Sequence, residues 1–131
     1  RDAQESRGLG DVYKRQEQTD VDQCRVNFVE VEPGNFAYGY HYHETDEEVF
    51  YIISGTGIVR TANGDVTVKA GDAITFPTGP EGAHVIRNGS DTEKLVYIDF
   101  DTNNLPEIVH LPDTNQVMAY GKFSNGVYDK K

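Results

Sequence analysis

Residues 41–55 read HYHETDEEVFYIISG: two histidines one residue apart, then a carboxylate that opens an apolar, strongly strand-like run. Side chains two apart on a strand share a face and lie roughly 6.5–7 Å apart, so His41 and His43 can converge on one ion between them. An antiparallel return through residues 44–47 brings Glu48 beside them. Parity groups Glu48 with Phe50 and Ile52 on one face and turns Glu47 to the other, where a solvated charge is the plainer reading. A carboxylate that shares a face with apolar side chains needs a partner to offset its desolvation, and a metal ion is one such partner.

Outward from this stretch the chain is strand and turn. Residues 26–31 end at Pro33-Gly34, and residues 36–43 alternate aromatics with small or polar residues. Asn63-Gly64 separates two short strand-like runs and suits a two-residue hairpin turn with both central residues at positive φ. Ala70-Gly71-Asp72 and Asn88-Gly89-Ser90 mark further turns around residues 73–76 and 84–87, and residues 95–100 form the last clear strand. Short strands punctuated this often indicate a β-sandwich or barrel. After Asn103 the pattern weakens, and residues 105–110 fit either a short strand or a helical turn. By parity with the histidines, Phe36, Tyr38, Tyr40 and Tyr42 face away from the interior, either packed under a neighbouring segment or forming an aromatic dimer interface.

With 131 residues the chain has enough length for one core and one domain. A formal net charge of −10 argues against a nucleic-acid partner, which requires clustered Lys and Arg. The longest apolar run, residues 49–53, is far too short to cross a membrane as a helix. A single cysteine, Cys24, forms no internal disulfide, which suits a cytoplasmic setting. Residues 1–16, RDAQESRGLGDVYKRQ, lack alternation and resemble a translated sequencing-adaptor extension. They are expected to be disordered or artefactual, with a single domain over 17–131 and a barrel core at about 25–101.

Residues 39–55 resemble the first motif of the cupin superfamily: Gly, then His-x-His, three or four residues, Glu, six residues, Gly. His41, His43, Glu48 and Gly55 meet the later part of it, and Gly34 fits the first glycine better than Gly39. The second cupin motif is similar to residues 71–88, which run Gly71, Pro77-Thr78-Gly79, His84 and Asn88. Four residues separate Gly79 from His84 where the motif has two, a lengthening that resembles the PxGPEGAH variant of small bacterial cupins. The resemblance implies an all-β fold, a double-stranded β-helix (jelly-roll) barrel. It also implies that His41, His43, Glu48 and His84 bind one divalent ion: Fe, Mn, Zn, Ni or Co.

Phe50, Ile52 and Ile86 are then the expected apolar walls of a substrate pocket. His110 falls outside both motifs and is expected to be structural or exposed, while Arg60 and Arg87 are expected in surface salt bridges. The functional expectation is a metal-dependent enzyme on a small organic molecule, of oxygenase, isomerase or decarboxylase type. The alternative is a barrel that binds a sugar or organic acid without turnover. A homodimer is expected, as cupin-like barrels often dimerise. The sequence names no catalytic group beyond the ligand set.

Overall fold

The computed structural model describes residues 12–16 and 21–131. Among these residues the chain forms strands β1 (Val12–Gln16), β2 (Cys24–Val31), β3 (Phe36–His43), β4 (Glu48–Ser54), β5 (Thr56–Thr61) and β6 (Gly64–Lys69). It continues with β7 (Ala73–Phe76), a 3₁₀ turn (Pro80–Gly82), β8 (His84–Asn88), β9 (Leu95–Thr102), β10 (Glu107–Leu111), β11 (Gln116–Tyr120) and β12 (Asn125–Asp129). One sheet runs β1-β2-β9-β4-β7 and the other β12-β11-β10-β3-β8-β5-β6. Every pairing is antiparallel, and the crossovers that place β9 between β2 and β4, and β8 between β3 and β5, give the jelly-roll topology. No helix among the described residues is long and apolar enough to cross a membrane.

Strand alternation sends one side chain in two toward the space between the sheets. Val29, Val31, Ile52, Leu95 and Tyr97 from the first sheet meet Ala37, Val59, Val68 and Ile86 from the second in one buried cluster. Each fully buried side chain of this size stabilises the fold by about 1.5–3 kcal/mol. The inner face of the first sheet changes character along the strands. Val31 pairs with Leu95, and the next inward row is Val29, Tyr97 and Ile52. Then come Asn27, Asp99 and Phe50, and last Arg25, Asp101 and Glu48. One half of the lumen is therefore filled hydrocarbon and the other half a polar mouth.

One open alternative is settled and three features depart from the sequence reading. The stretch after Asn103 is strand, not helical turn: β10 pairs β3 through Val109–His43 and His110–Tyr42, and β11 and β12 extend that sheet beyond the expected core limit. The hairpin at residues 61–64 forms, yet Gly64 (φ 111°) alone carries positive φ, because Thr61 pairs with Gly64 and leaves Ala62-Asn63 at the tip. Tyr38 turns into the lumen. Between the pairs Ala37–Ile86 and His41–His84, β3 holds two more residues than β8, and the bulge sets Tyr38 at φ 61°. An even insertion preserves parity on either side, so Ala37, His41 and His43 stay inward while Tyr38 alone is swung round. Last, Val12–Gln16, inside the segment expected to be disordered or artefactual, pairs with β2, which departs from the first of those two alternatives; residues 1–11 lie outside the described residues.

Candidate metal centre

Strand β3 ends in His41 and His43, β4 opens on Glu48, and β8 opens on His84, which pairs with His41 across the ladder. The Nε2 atoms of His84, His43 and His41 lie 2.9, 3.0 and 3.4 Å from the same Glu48 Oε1. Ligand atoms of His41, His43 and Glu48 all fall within 4.8 Å of one another. The four residues that the sequence singled out are thus brought together, from two hairpins far apart in the chain.

Each imidazole is held from behind. Nδ1 of His41 donates to Gly39 O (2.7 Å), Nδ1 of His84 to Gly82 O (2.8 Å), and Nδ1 of His43 to Glu107 Oε2 (3.2 Å). Acceptors behind Nδ1 fix the tautomer and leave the Nε2 lone pair facing the cluster, the arrangement that metal-ligating histidines adopt. At His84 this leaves a conflict. Its Nδ1 hydrogen is used on a carbonyl, and its buried Nε2 has no hydrogen-bond partner although a carboxylate oxygen stands beside it. Two lone pairs facing each other at that separation repel unless a proton or a cation lies between them. Burial, outweighing the attraction of Glu48, lowers the His84 pKa and disfavours the proton.

The other groups respond to the same crowding. Burial works against ionised Glu48, but the three histidine rings that face it outweigh burial and hold the carboxyl well below its usual range. Burial also opposes charge on His43, and there the hydrogen bond and charge of Glu48, with help from Glu107, win and raise it. Phe76 stacks on His84 with ring centroids 3.6 Å apart, and Phe50 meets the same ring edge-on, fixing its direction.

A cavity of about 430 Å³ opens in front of the cluster. Phe50 and Ile86 line it as expected. Ile52 does not: it lies one inward row deeper and is part of the filled core. Glu47 is exposed. His110 stacks on Tyr42 and pairs with Glu44 at 2.6 Å, while Arg60 grips Asp113 with two hydrogen bonds (2.7 and 3.2 Å) over the Tyr40 ring. Arg87 faces Asp65 at 3.6 Å.

Three polar groups on the cavity wall were absent from the sequence reading. Asp99 and Asp101 project inward from β9, and their carboxylates come within 4.8 Å of Glu48. Asn27 stands across from Asp99 on β2. The signal was available, since continuing the parity of Leu95 and Tyr97 by two and four residues places both aspartates inside. Burial, then neighbouring carboxylates, raises Asp99 well above the usual carboxylate range and Asp101 to about 6.

The cupin-domain family model matches residues 27–101, more than half of the chain. An oxalate-binding protein of Thermotoga maritima is 34% identical over 61 residues, which is 47% of this chain and 49% of that one, so the chain spans about half of that relative's length. In three dimensions, a sugar phosphate isomerase of the cupin superfamily from Silicibacter pomeroyi superposes with a TM-score of 0.79 at 22% identity, over 85% of this chain and 70% of the other. A predicted oxalate decarboxylase from Thermotoga maritima superposes with a TM-score of 0.63 at 26% identity, covering 72% and 83%. With both halves of the barrel, the motif residues and the family match in agreement, the chain belongs to the cupin family.

Proposed function

We propose that His41, His43, Glu48 and His84 hold one divalent cation and that the cavity before it receives a small, oxygen-bearing organic molecule. The observation that carries this is the bare Nε2 of His84, buried against Glu48 Oε1 with neither atom supplying a proton. Three neutral imidazoles and one carboxylate suit Fe, Mn, Zn, Ni or Co and leave one or two coordination positions for the ligand. Such an ion supplies Lewis-acid polarisation of a ligand oxygen. Around it the chain itself contributes carboxyl groups able to take up and return a proton, Asp99 and Asp101. This favours isomerase- or decarboxylase-type proton chemistry over an oxygenase.

The second reading is binding without turnover, supported by the oxalate-binding relative. A homodimer belongs to the proposal as well: Val26, Phe28, Tyr51 and Phe100 expose an apolar outer face on the first sheet. Elemental analysis of the purified wild type, His43→Ala and His84→Ala tests the ligand set. About one ion per chain in the wild type and most of it lost in both variants is expected; equal content in all three would sink the assignment.

A further inference from the structure

We infer that Asn27, Asp99 and Asp101 form a hydrogen-bond-accepting ledge that selects an uncharged polyhydroxylated ligand, a sugar or polyol with adjacent hydroxyl groups, over small dianions. The inference rests on the proposed binding role of this cavity and names its ligand class.

The three side chains occupy adjacent inward positions on neighbouring strands: Asn27 opposite Asp99, and Asp101 opposite both Arg25 and Glu48. They are 3, 6 and 8% exposed, and each presents an Oδ1 that is buried without a hydrogen-bond partner. All three residues line the cavity. A buried acceptor left without a donor forfeits its hydration with nothing in return, so three of them on one wall favour whatever molecule brings donors. Hydroxyl groups bring donors. Carboxylates and phosphate esters bring oxygen acceptors and negative charge instead.

Spacing narrows the class further. Carboxylate oxygens of Glu48, Asp99 and Asp101 lie mutually within 4.8 Å, so donors that satisfy the ledge sit on neighbouring carbons of one small molecule, with a further oxygen beside the histidines. Charge points the same way. The cavity is bordered by Asp46, Glu48, Asp99, Asp101 and Glu107, against one arginine, Arg25, whose Nη2 already faces Asp101 Oδ2 at 4.0 Å. A dianion entering this wall is repelled by the ionised Glu48 and Glu107 carboxylates, whereas a neutral polyol is not.

The test is calorimetric titration of the full chain after loading with manganese, with manganese content measured on the same samples, using D-sorbitol and D-fructose against oxalate and D-glucose 6-phosphate. Binding of at least one neutral compound, tighter than either anion, is expected. Asn27→Ala and Asp101→Ala should each weaken it tenfold or more, with manganese content and a cooperative melt retained. Tighter binding of an anion, no binding of either neutral compound at 20 mM, or unchanged affinity in both variants would overturn the ledge. So would a second equivalent of manganese that disappears in Asp101→Ala, which would make the oxygen cluster a cation site. Neutral-ligand binding that depends on the ledge in a chain devoid of metal would leave the ledge standing and remove the metal assignment.

Discussion

Glu107 reaches His43 across 64 residues of chain: its Oε2 accepts the Nδ1 hydrogen at 3.2 Å while the same carboxylate takes the backbone N–H groups of Thr45 (2.9 Å) and Asp46 (2.8 Å). One side chain from β10 thereby orients an imidazole and closes the loop that leads to Glu48. Glu107→Gln keeps the size and removes the charge. It is expected to weaken metal affinity roughly tenfold to a hundredfold, as loss of such a supporting partner does. Competition against a chelator of known affinity measures this, and an unchanged dissociation constant would remove Glu107 from the site.

The Asp101 carboxyl provides a pH test in metal-free protein. Burial and the charge of Glu48 raise it to about 6 from 3.8, against the lowering influence of neighbouring Asp99 and Arg25. A carboxyl raised in the folded state binds its proton more tightly there, so its contribution to stability is fully present below the unfolded value and is lost as pH rises through about 6. Asp101→Asn imitates the protonated form. The variant should gain melting temperature over the wild type between about pH 4 and pH 6.5, with a constant gap above that. A gap independent of pH from 4 to 8 would contradict the assignment.

Gly82 tests the loop that carries His84. A Cβ there would overlap the Pro77 carbonyl, and the Gly82 carbonyl is the acceptor for His84 Nδ1. Backbone cannot give way as a flexible side chain would, so Gly82→Ala should destabilise the fold by about 2–3 kcal/mol and lower metal content together. Separation of the two effects, with melting reduced and metal fully retained, would show that the turn does not set the imidazole.

Asn88, by contrast, is a structural member of the second motif. Its Nδ2 donates to Val31 O (2.9 Å) in the opposite sheet and to Glu93 O (2.7 Å), and its Oδ1 accepts from Ser90 N (2.7 Å). Removing it strands the buried Val31 carbonyl and the part-buried Glu93 carbonyl. Asn88→Ala should cost about 2–4 kcal/mol in chemical denaturation while metal content stays at the wild-type level. A variant that folds normally and loses its metal would reverse that division of roles.

Much of this architecture was legible because strand parity is a strict code wherever one face is buried. His41, His43, Glu48 and His84 fell on one interior by alternation and motif spacing. The code failed at Tyr38, where two extra residues in β3 create a bulge that no single-strand pattern announces. It went unused at Asp99 and Asp101, since charged residues near a strand's end read as solvated until the opposing sheet is known to cover them. Ile52 shared the parity of Phe50 but not its depth, because parity gives the face and says nothing of how far along the barrel axis the filled core extends. Glu107 lay in a stretch whose alternation is too short to distinguish strand from turn.

The row-by-row change from hydrocarbon at Val31 and Leu95 to charge at Arg25 and Asp101 has a kinetic corollary. A lumen plugged at one end is a cul-de-sac: whatever enters must back out along its own path. Among the described residues, departure and arrival therefore compete for the polar mouth that Arg25 and Asn104 help to line, and occupancy by one molecule bars the next until the first has gone.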